Sequence, residues 1–445
     1  RLRRFAERAC APLNTFLGMY NVLEVRNQSL FARDVRVDRT NMDNTSLGSL
    51  GTTLAAQGQF DFLVHDHVRT DIVGRACAVM ADAQSGDLDG MMVYYKPSTT
   101  PGRDQFALAV PLSNGETGEL ALSWNTFHPS LDPRDSGKVV ALYASIVNES
   151  NALLRGTYTV INSDAVEVER RTLALNPGER RDLNVHQHGP NQVGLLLWTP
   201  ENNSQPARFF AARYMHDNTL YAPSYVTAFV AEGRSGSNAE QVAPLDTAIG
   251  TAVLELNNLS KSNWAAFNVE ITNEQGVVRS SRPYYVAPLG SYHLIADSIL
   301  QGEKGIARVA SLGGERYSAA AMHYERTQSG AVRRMYGVAA EQALGLVLRA
   351  SYNTFLNQSV ELQLVNSADT PVTVEWRALR LDQTLVETRS TTIPAHGLAV
   401  EAFADQPDVY GTIMINVPAA HQNKVAAWLL RVNEDHIIPL RASPQ

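Results

Sequence analysis

The sequence predicts an all-β protein made of four tandem β-sandwich domains, and three observations lead to this prediction. First, a motif recurs four times, about every 110 residues. Second, short Val-, Ile-, Thr- and Tyr-rich runs with alternating polarity are each broken by Asn, Gly or Pro, which is typical of strands and turns. Third, 445 residues give room for about three or four domains of ordinary size.

Each copy of the motif contains two glycines. A short stretch ends in a turn glycine, and a second glycine opens an apolar strand about 15 residues later. The four stretches are Thr53–Gly58, Thr172–Gly178, Tyr284–Gly290 and Thr391–Gly397. The second glycines are Gly74, Gly194, Gly305 and Gly411. A period of this length with strand-like content predicts an array of small β domains.

The array predicts where the domains divide. Each unit closes with an Ala/Tyr-rich strand, a polar hairpin tip and a return strand, and the boundary follows that return strand. The predicted division is an N-terminal arm at residues 1–10 and β-sandwiches at residues 11–111, 112–232, 233–340 and 341–445.

Alternate units open in similar ways, which predicts a duplicated two-domain unit. Ala11–Thr15 resembles Ala243–Thr247, and Ser123–Phe127 resembles Ser351–Phe355. Over nearly the whole chain, the strand rhythm resembles that of tandem immunoglobulin-like or fibronectin-type-III-like sandwiches. The Cys…Trp…Cys spacing of true immunoglobulin domains is missing. The resemblance therefore implies a fold and no binding residues.

The N-terminal arm has two interpretations. Leu2–Glu7 resembles Val332–Gly337, which we predict to be a closing return strand. Arg1–Cys10 is then either the closing strand of an upstream or neighbouring domain, or a short helix or frayed arm. In the first case the arm completes another molecule's sheet by strand addition and polymerises the chain. The assembly residues of that hypothesis are Leu2, Arg3, Arg4 and Phe5.

Composition excludes some partners and leaves the cysteines open. A net charge of −7 with a pI near 5.9 argues against a nucleic-acid binder, which normally has a basic surface. No apolar run approaches the roughly 18 residues that span a bilayer. Cys10 and Cys77 either pair and tie the arm to the first domain, or remain two half-buried thiols.

Two segments resemble metal sites without completing them. His65-Asp66-His67 and His186-Gln187-His188 occupy matching places, and on a strand each pair would present two imidazoles to Zn²⁺ or Cu²⁺. Structural zinc needs four ligands, so solvated strand ends are favoured. Asp82–Gly90 offers oxygen ligands, but no glutamate stands at the offset where a calcium loop has its bidentate carboxylate, so a plain hairpin loop is predicted. We predict no metal and no cofactor.

Two further sets of residues have a structural and a functional interpretation. The glycosylation sequons at Asn27, Asn148 and Asn258 coincide with recurring Asn/Ser turns, so turn formation is favoured over glycan attachment. Tyr94-Tyr95, Tyr284-Tyr285 and Tyr292 form either a stacking platform for sugars or half-buried strand positions, and the second is favoured. The remaining sequons are at Asn44, Asn202 and Asn357.

No nucleophile, nucleotide-binding or zinc-protease motif occurs in the sequence. We therefore predict a non-enzymatic, exported structural protein, a semi-rigid rod that builds a filament, a layer or a multi-protein assembly. Its expected location is extracellular or at the cell surface, or else periplasmic, and its partners are other copies or other surface proteins. The alternative is an adhesin or carbohydrate-binding accessory protein that recognises a glycan through domain-tip loops. A metal-dependent enzyme centred on the His pairs ranks third.

Overall fold

The computed structural model describes residues 6–101, 103–217 and 225–444, and most of these residues lie in β-strands. The α-helix of the described part is α1 (Asp297–Leu300). Within the same residues, no helix has the length and apolar character needed to cross a membrane. The prediction of an all-β protein is confirmed.

The strands fall into four successive segments of eight. Segment 1 contains β1 (Ala6–Asn14), β2 (Tyr20–Asn27), β3 (Arg33–Asn41), β4 (Ser46–Leu54), β5 (Gln59–Leu63), β6 (Val73–Ala81), β7 (Leu88–Pro97) and β8 (Asp104–Pro111). Segment 2 contains β9 (Leu120–Asn125), β10 (Val139–Asn148), β11 (Leu154–Asn162), β12 (Glu167–Leu175), β13 (Arg180–Asn184), β14 (Val193–Pro200), β15 (Ala207–His216) and β16 (Tyr225–Glu232).

The second half of the chain repeats this order. Segment 3 contains β17 (Gln241–Asp246), β18 (Gly250–Asn258), β19 (Ala265–Asn273), β20 (Val278–Val286), β21 (Ser291–Ile295), β22 (Lys304–Ser311), β23 (Tyr317–Arg326) and β24 (Val332–Ala339). Segment 4 contains β25 (Val347–Asn353), β26 (Ser359–Asn366), β27 (Val372–Arg380), β28 (Leu385–Ile393), β29 (Leu398–Phe403), β30 (Tyr410–Asn416), β31 (Val425–Val432) and β32 (Ile437–Arg441), followed by β33 (Ser443–Pro444).

Every segment forms two antiparallel sheets with the same strand order. Sheet I has the order first-sixth-third-fourth strand, and sheet II has the order fifth-second-seventh-eighth. In segment 4, β33 adds a short fifth strand beside β25. The first strand pairs with the sixth, whereas in the immunoglobulin arrangement the first strand pairs with the second. The length and spacing of the strands along the chain thus resemble those of immunoglobulin domains, whereas the pairing of the first strand differs.

Sheets I and II of a segment face each other across buried apolar side chains. In segment 1, Leu13, Val37 and Met80 of sheet I pack with Leu23 and Met92 of sheet II in one cluster. Side chains alternate between the two faces of a strand, so each strand contributes every second residue to this core. The arrangement is compatible with repeated β-sandwiches.

The second glycine of each motif copy stands where no side chain fits. Gly74, Gly194, Gly305 and Gly411 pair with the last residues of the third strands. A Cβ on Gly305 would lie 1.9 Å from the carbonyl oxygen of Thr272, and the other three have equivalent overlaps of 1.9 to 2.0 Å. Glycine is therefore sterically required at the second residue of each sixth strand, and this requirement produces the repeat.

The four segments form a closed ring. The eighth strands meet in cyclic order, because β8 and β24 each contact both β16 and β32. Segment 4 thus returns to segment 1, and Arg431 forms an ion pair with Glu24. A semi-rigid rod, as expected from the sequence, would keep segments 1 and 4 apart, whereas here the two are in contact.

The predicted arm lies partly outside the described residues. Ala6–Cys10 belongs to β1, which pairs along its length with β6 of the same segment. The proposed assembly residues lie outside the described residues, and their role stays a prediction. They are Leu2, Arg3, Arg4 and Phe5.

Candidate functional site

The interfaces between segments share one construction. The outer face of sheet II in one segment covers the open end of the preceding segment's core. Met322 and Met335 of segment 3 pack in one cluster with Met215 and Phe229 of segment 2. Because both faces of sheet II are buried, its seventh strand is apolar at consecutive positions, as in β31.

Segment 1 covers segment 4 in the same way and so closes the ring. Met91, Val93 and Tyr95 of β7 pack with Ile438 of β32. Ile438 is fully buried. Closure therefore uses the type of contact that joins the consecutive segments.

The closing interface contains a buried ion pair. Arg431 Nη1 and Nη2 lie 2.7 Å from Glu24 Oε1 and Oε2, a bidentate arrangement. The Arg431 side chain is 0% exposed and that of Glu24 3%. Asn353 Nδ2 donates a third hydrogen bond, 3.1 Å long, to Glu24 Oε1. Ion pairs of this kind are strongly directional and are costly to break, because a charge is left buried without a partner.

A second arginine crosses the closing interface. Arg26 donates from Nη2 to the carbonyl of Gly411 and from Nη1 to Thr412 Oγ1, both at 2.6 Å. Burial lowers the pKa of Arg26 to about 10, so the side chain stays charged at neutral pH. Arg26 Nη2 also donates to Gln59 Oε1 at 3.0 Å. Gly411, which has no room for a side chain, thus also provides a carbonyl oxygen that binds Arg26 of segment 1.

A second carboxylate lies beside Glu24. Asp61 of β5 is the direct cross-strand partner of Glu24, which places the two Cβ atoms about 5 Å apart. Asp61 Oδ1 accepts a 2.9 Å hydrogen bond from Gln59 Nε2. Burial, together with the neighbouring Glu24 charge, raises the pKa of Asp61 to about 7.

The same interface holds another acidic pair. The backbone N–H of Asp104 donates to Asp435 Oδ2 at 3.1 Å, so a carboxylate of segment 1 lies beside one of segment 4. Burial and the Asp435 charge raise the pKa of Asp104 to about 6. Hydrogen bonds from Arg103 lower the pKa of Asp435. Burial lowers the pKa of the adjoining His436 to about 4.

The interface between segments 2 and 3 repeats part of this pattern. Asn125 Nδ2 donates to Glu255 Oε1 at 3.2 Å, as Asn353 does to Glu24. Arg213 occupies the place of Arg431 and donates to the Tyr324 hydroxyl at 2.5 Å. The Asn–Glu hydrogen bond therefore marks alternate interfaces of the ring.

One buried position of the seventh strand is an arginine in segments 2 and 4 but not in segments 1 and 3. This position pairs with a residue near the start of the second strand, and it is Tyr94 in segment 1 and His323 in segment 3. These arginines are Arg213 and Arg431. All four side chains are less than 5% exposed. The arginines reach the next segment with the hydrogen bonds described above.

A cavity of about 640 Å³ lies where the four eighth strands meet. Ala109, Val230, Gly337 and Pro439 contribute to its wall. At its edge, Glu341 forms ion pairs with Arg234 at 3.2 Å and Arg441 at 3.1 Å. Arg234 and Glu341 belong to the connections that follow β16 and β24, and Arg441 ends β32. Because these charges pair with one another, they hold the segments together around the cavity.

The predicted histidine pairs do not lie on strands. His186–His188 forms a short 3-10 turn after β13, and His65 and His67 lie in a turn after β5, so neither pair shares a strand face. The first histidine of each pair accepts a backbone N–H at Nδ1: Asn21 to His65 at 3.1 Å and Leu142 to His186 at 3.2 Å. Asp297 Oδ1 accepts the N–H of Ala252 in the same way in segment 3.

His188 Nε2 lies 2.6 Å from Glu169 Oε2. Across the described ranges, no group of three or more His, Cys, Asp or Glu residues is arranged to hold a metal ion.

The two cysteines form a disulfide that joins β1 to β6. Cys10 and Cys77 are direct cross-strand partners, with their Cα atoms 3.9 Å apart. Both are buried. The disulfide therefore fixes the first strand of segment 1 in its sheet.

The recurring asparagine at the end of each second strand is buried and hydrogen-bonded. Its Oδ1 accepts the N–H two residues later, and its Nδ2 donates to a carbonyl at the end of the fourth strand or just after it. For Asn148 these bonds run from Ser150 N at 2.9 Å and to Leu175 O at 2.9 Å. The four positions are Asn27, Asn148, Asn258 and Asn366, each 0% exposed. In the folded protein these side chains form turns and are inaccessible to glycan attachment.

The tyrosines separate into two groups. Tyr94, Tyr95 and Tyr284 are buried, whereas Tyr285 is 67% and Tyr292 40% exposed. Trp264, which immediately precedes β19, is 66% exposed. Tyr285 is the cross-strand partner of Ala266, two residues after Trp264.

Sequence reasoning missed the residues of the closing interface. Arg431 stands inside the apolar run Val425–Val432, and such a position indicates a buried, paired charge. Its partner Glu24 is 407 residues away in sequence. The pattern in β31 could have indicated the arginine, but nothing in the sequence identifies its partner.

No protein-family model matches this chain, and no curated protein matches it. Its function is therefore inferred from the geometry and chemistry of its own residues.

Proposed function

We propose that this protein is a non-enzymatic, exported structural protein in which four β-sandwich domains form a rigid, ring-shaped building block. The building block is part of a surface layer or another multi-protein assembly. The observation that carries the proposal is the head-to-tail packing of the segments. In this packing, the outer face of each sheet II lies against the core of the preceding segment. A duplicated two-domain unit accounts for the alternation of Tyr94 and His323 with Arg213 and Arg431.

Export is supported by the disulfide between Cys10 and Cys77. Disulfides persist in oxidising compartments and are rare in the cytosol. We therefore place the protein outside the cell, at the cell surface or in a periplasm.

One strand edge supports contact with a second copy. β4 lies at the edge of sheet I, and its sequence contains no charged residue and no proline. Charges and proline on edge strands prevent edge-to-edge pairing. The fourth strands of the other segments carry such residues: Glu167, Glu169, Arg170, Arg171, Arg279, Arg282, Pro283, Glu387 and Arg389. Antiparallel pairing of β4 with β4 of another copy would extend sheet I across two molecules.

Electron microscopy and light scattering of the isolated protein test the assembly. We expect ordered layers or oligomers at high concentration, and a strict monomer would contradict the proposal. Ser49→Lys places a charge on the exposed edge of β4 and should abolish assembly. Ser390→Lys is the matched control, because Ser390 is exposed on β28, which already carries charges.

A glycan-binding function is the second candidate, and exposed aromatic side chains favour it. Trp264 and Tyr285 flank Ala266 on segment 3 and are both about two-thirds exposed. Aromatic rings with one apolar face and a polar edge are suited to stacking on sugars. Saturable binding on a glycan array that is lost in Trp264→Ala would support this function over the structural one. Binding that persists in this variant would exclude the platform.

A further inference from the structure

The four segments differ at one equivalent pair of positions in sheet II. Three residues before the buried turn asparagine, the second strand faces a residue of the fifth strand. The pairs are Glu24–Asp61, Ser145–Asp182, Glu255–His293 and Gln363–Val400. Of these four pairs, that of segment 1 alone consists of two carboxylates, and it lies at the interface that closes the ring.

Segment 1 presents a second acid to segment 4 under similar conditions. Asp104 lies beside Asp435 in the same interface, and the backbone N–H of Asp104 donates to Asp435 Oδ2 at 3.1 Å. The salt bridge to Arg431 neutralises Glu24, and hydrogen bonds from Arg103 hold Asp435. Among the hydrogen bonds of the described residues, none joins an arginine side chain to the carboxyl of Asp61 or Asp104. At two places the closing interface therefore combines an acid that is paired with an arginine and a second acid that is not.

We propose that the packing of segment 4 on segment 1 is a proton-dependent latch, closed when Asp61 is protonated and loosened when Asp61 and Glu24 are both charged. Two like charges in a partly buried site repel each other, and protonation of Asp61 removes the repulsion. Opening the interface exposes Asp61 to water, which stabilises its ionised form. The latch is a property of the ring and does not depend on what the ring assembles with.

The direction of the pH effect follows from proton linkage. A carboxyl whose pKa is raised in the closed state binds its proton more tightly there than when open, so closure weakens as pH rises. For Asp61, with a closed-state pKa of about 7, the weakening extends from about pH 4 to pH 7 and then levels off. Asp104 acts in the same direction at slightly lower pH.

The other groups around Asp61 do not reverse this effect. Arg26 and Arg431 remain charged throughout, and burial raises the pKa of Tyr95 and Tyr410, which stay neutral. Gln59 does not titrate. His436, near Asp104, has the opposite effect on closure. Burial lowers its pKa, so protonation of His436 favours the open state and closure weakens as pH falls. The contribution of Asp61 is therefore isolated by comparing the protein with its Asp61→Asn variant at each pH.

A buried thiol measures opening directly. Ile438→Cys places a cysteine under segment 1, and the two natural cysteines are in a disulfide. Its rate of labelling by a thiol reagent reports opening. We divide the rate measured with Asp61 intact by the rate measured in the Asp61→Asn background, which cancels the pH dependence of the thiol itself. We expect this ratio to rise about tenfold from pH 6 to pH 8. Val93→Cys, at a fully buried residue of the same cluster, replaces Ile438→Cys if that variant does not fold.

A probe elsewhere in the ring separates the latch from general destabilisation. Met335→Cys is buried between segments 2 and 3, where His293 stands in place of Asp61. Its labelling ratio should stay within about twofold of one at every pH. A pH-independent ratio at Ile438→Cys would overturn the proposal, and so would equal pH-dependent changes at both probes.

Discussion

At the residue scale, the motif glycines are positions that admit no side chain. A Cβ on Gly305 would overlap the carbonyl oxygen of Thr272, and backbone atoms cannot yield as a flexible side chain can. We expect Gly305→Ala to lower the free energy of unfolding by about 3 kcal/mol, the upper part of the range for overpacking. Urea denaturation followed by circular dichroism measures the change.

Gly137→Ala is the control for this substitution. Gly137 has no atom within 4 Å of a Cβ built on it. The substitution should change the unfolding free energy by less than about 0.5 kcal/mol, as surface changes do. Equal effects at the two glycines would show that the loss of glycine flexibility, and not the overlap, determines stability.

The buried turn asparagines give a second prediction at this scale. Asn148→Ala removes the bonds to Ser150 N and Leu175 O and leaves a buried carbonyl without its donor. We expect a loss of about 2 kcal/mol in unfolding free energy, measured in urea. Asn202→Ala, at an exposed sequon, should be close to neutral. A near-neutral Asn148→Ala would show that water replaces the amide.

At the scale of elements, the disulfide holds β1 in place at the edge of sheet I. β1 has β6 as its neighbour in that sheet, and Cys10 and Cys77 lie 67 residues apart in sequence. Replacing both with alanine should lower the unfolding free energy by about 2–4 kcal/mol, since the cross-link restricts the unfolded chain. Calorimetry of the double variant measures this loss. If reducing agent lowers the melting temperature of the double variant as much as that of the natural protein, the disulfide is not the cause.

The sequence predicted elements where local chemistry determines them. The spacing of Gly74, Gly194, Gly305 and Gly411 indicates the four-fold repeat, because a side chain at any of these positions would overlap a neighbouring backbone carbonyl. The turn that contains His65 and His67 has no glycine or proline to mark it, so the sequence alone does not distinguish it from a strand. The pair at His186 and His188 does precede Gly189-Pro190, which is a turn signal. Consecutive apolar residues in the seventh strands, such as Val425–Leu430, already indicate burial on both faces.

At the scale of the whole molecule, ring closure depends on contacts that local patterns do not encode. Head-to-tail interfaces generate open filaments unless the rotation between units closes them. The same repeated interface therefore fits a rod or a ring equally well from sequence. Closing contacts such as the Glu24–Arg431 ion pair join residues at opposite ends of the chain.

The buried pair itself makes the last prediction. Removing one partner leaves a buried charge, so Glu24→Gln or Arg431→Met should weaken closure by about 3–5 kcal/mol. The double variant should recover much of that loss, because neither charge remains. Labelling of Ile438→Cys measures closure in each variant.

Glu375 and Arg377 form an exposed pair 2.6 Å apart on segment 4, and Arg377→Met should change closure by less than about 1 kcal/mol. Additive losses in the double variant would mean that Glu24 and Arg431 act on closure independently. Recovery would instead show that the two charges function as a unit, so that the ring is specified by their pairing while its apolar faces provide most of the adhesion.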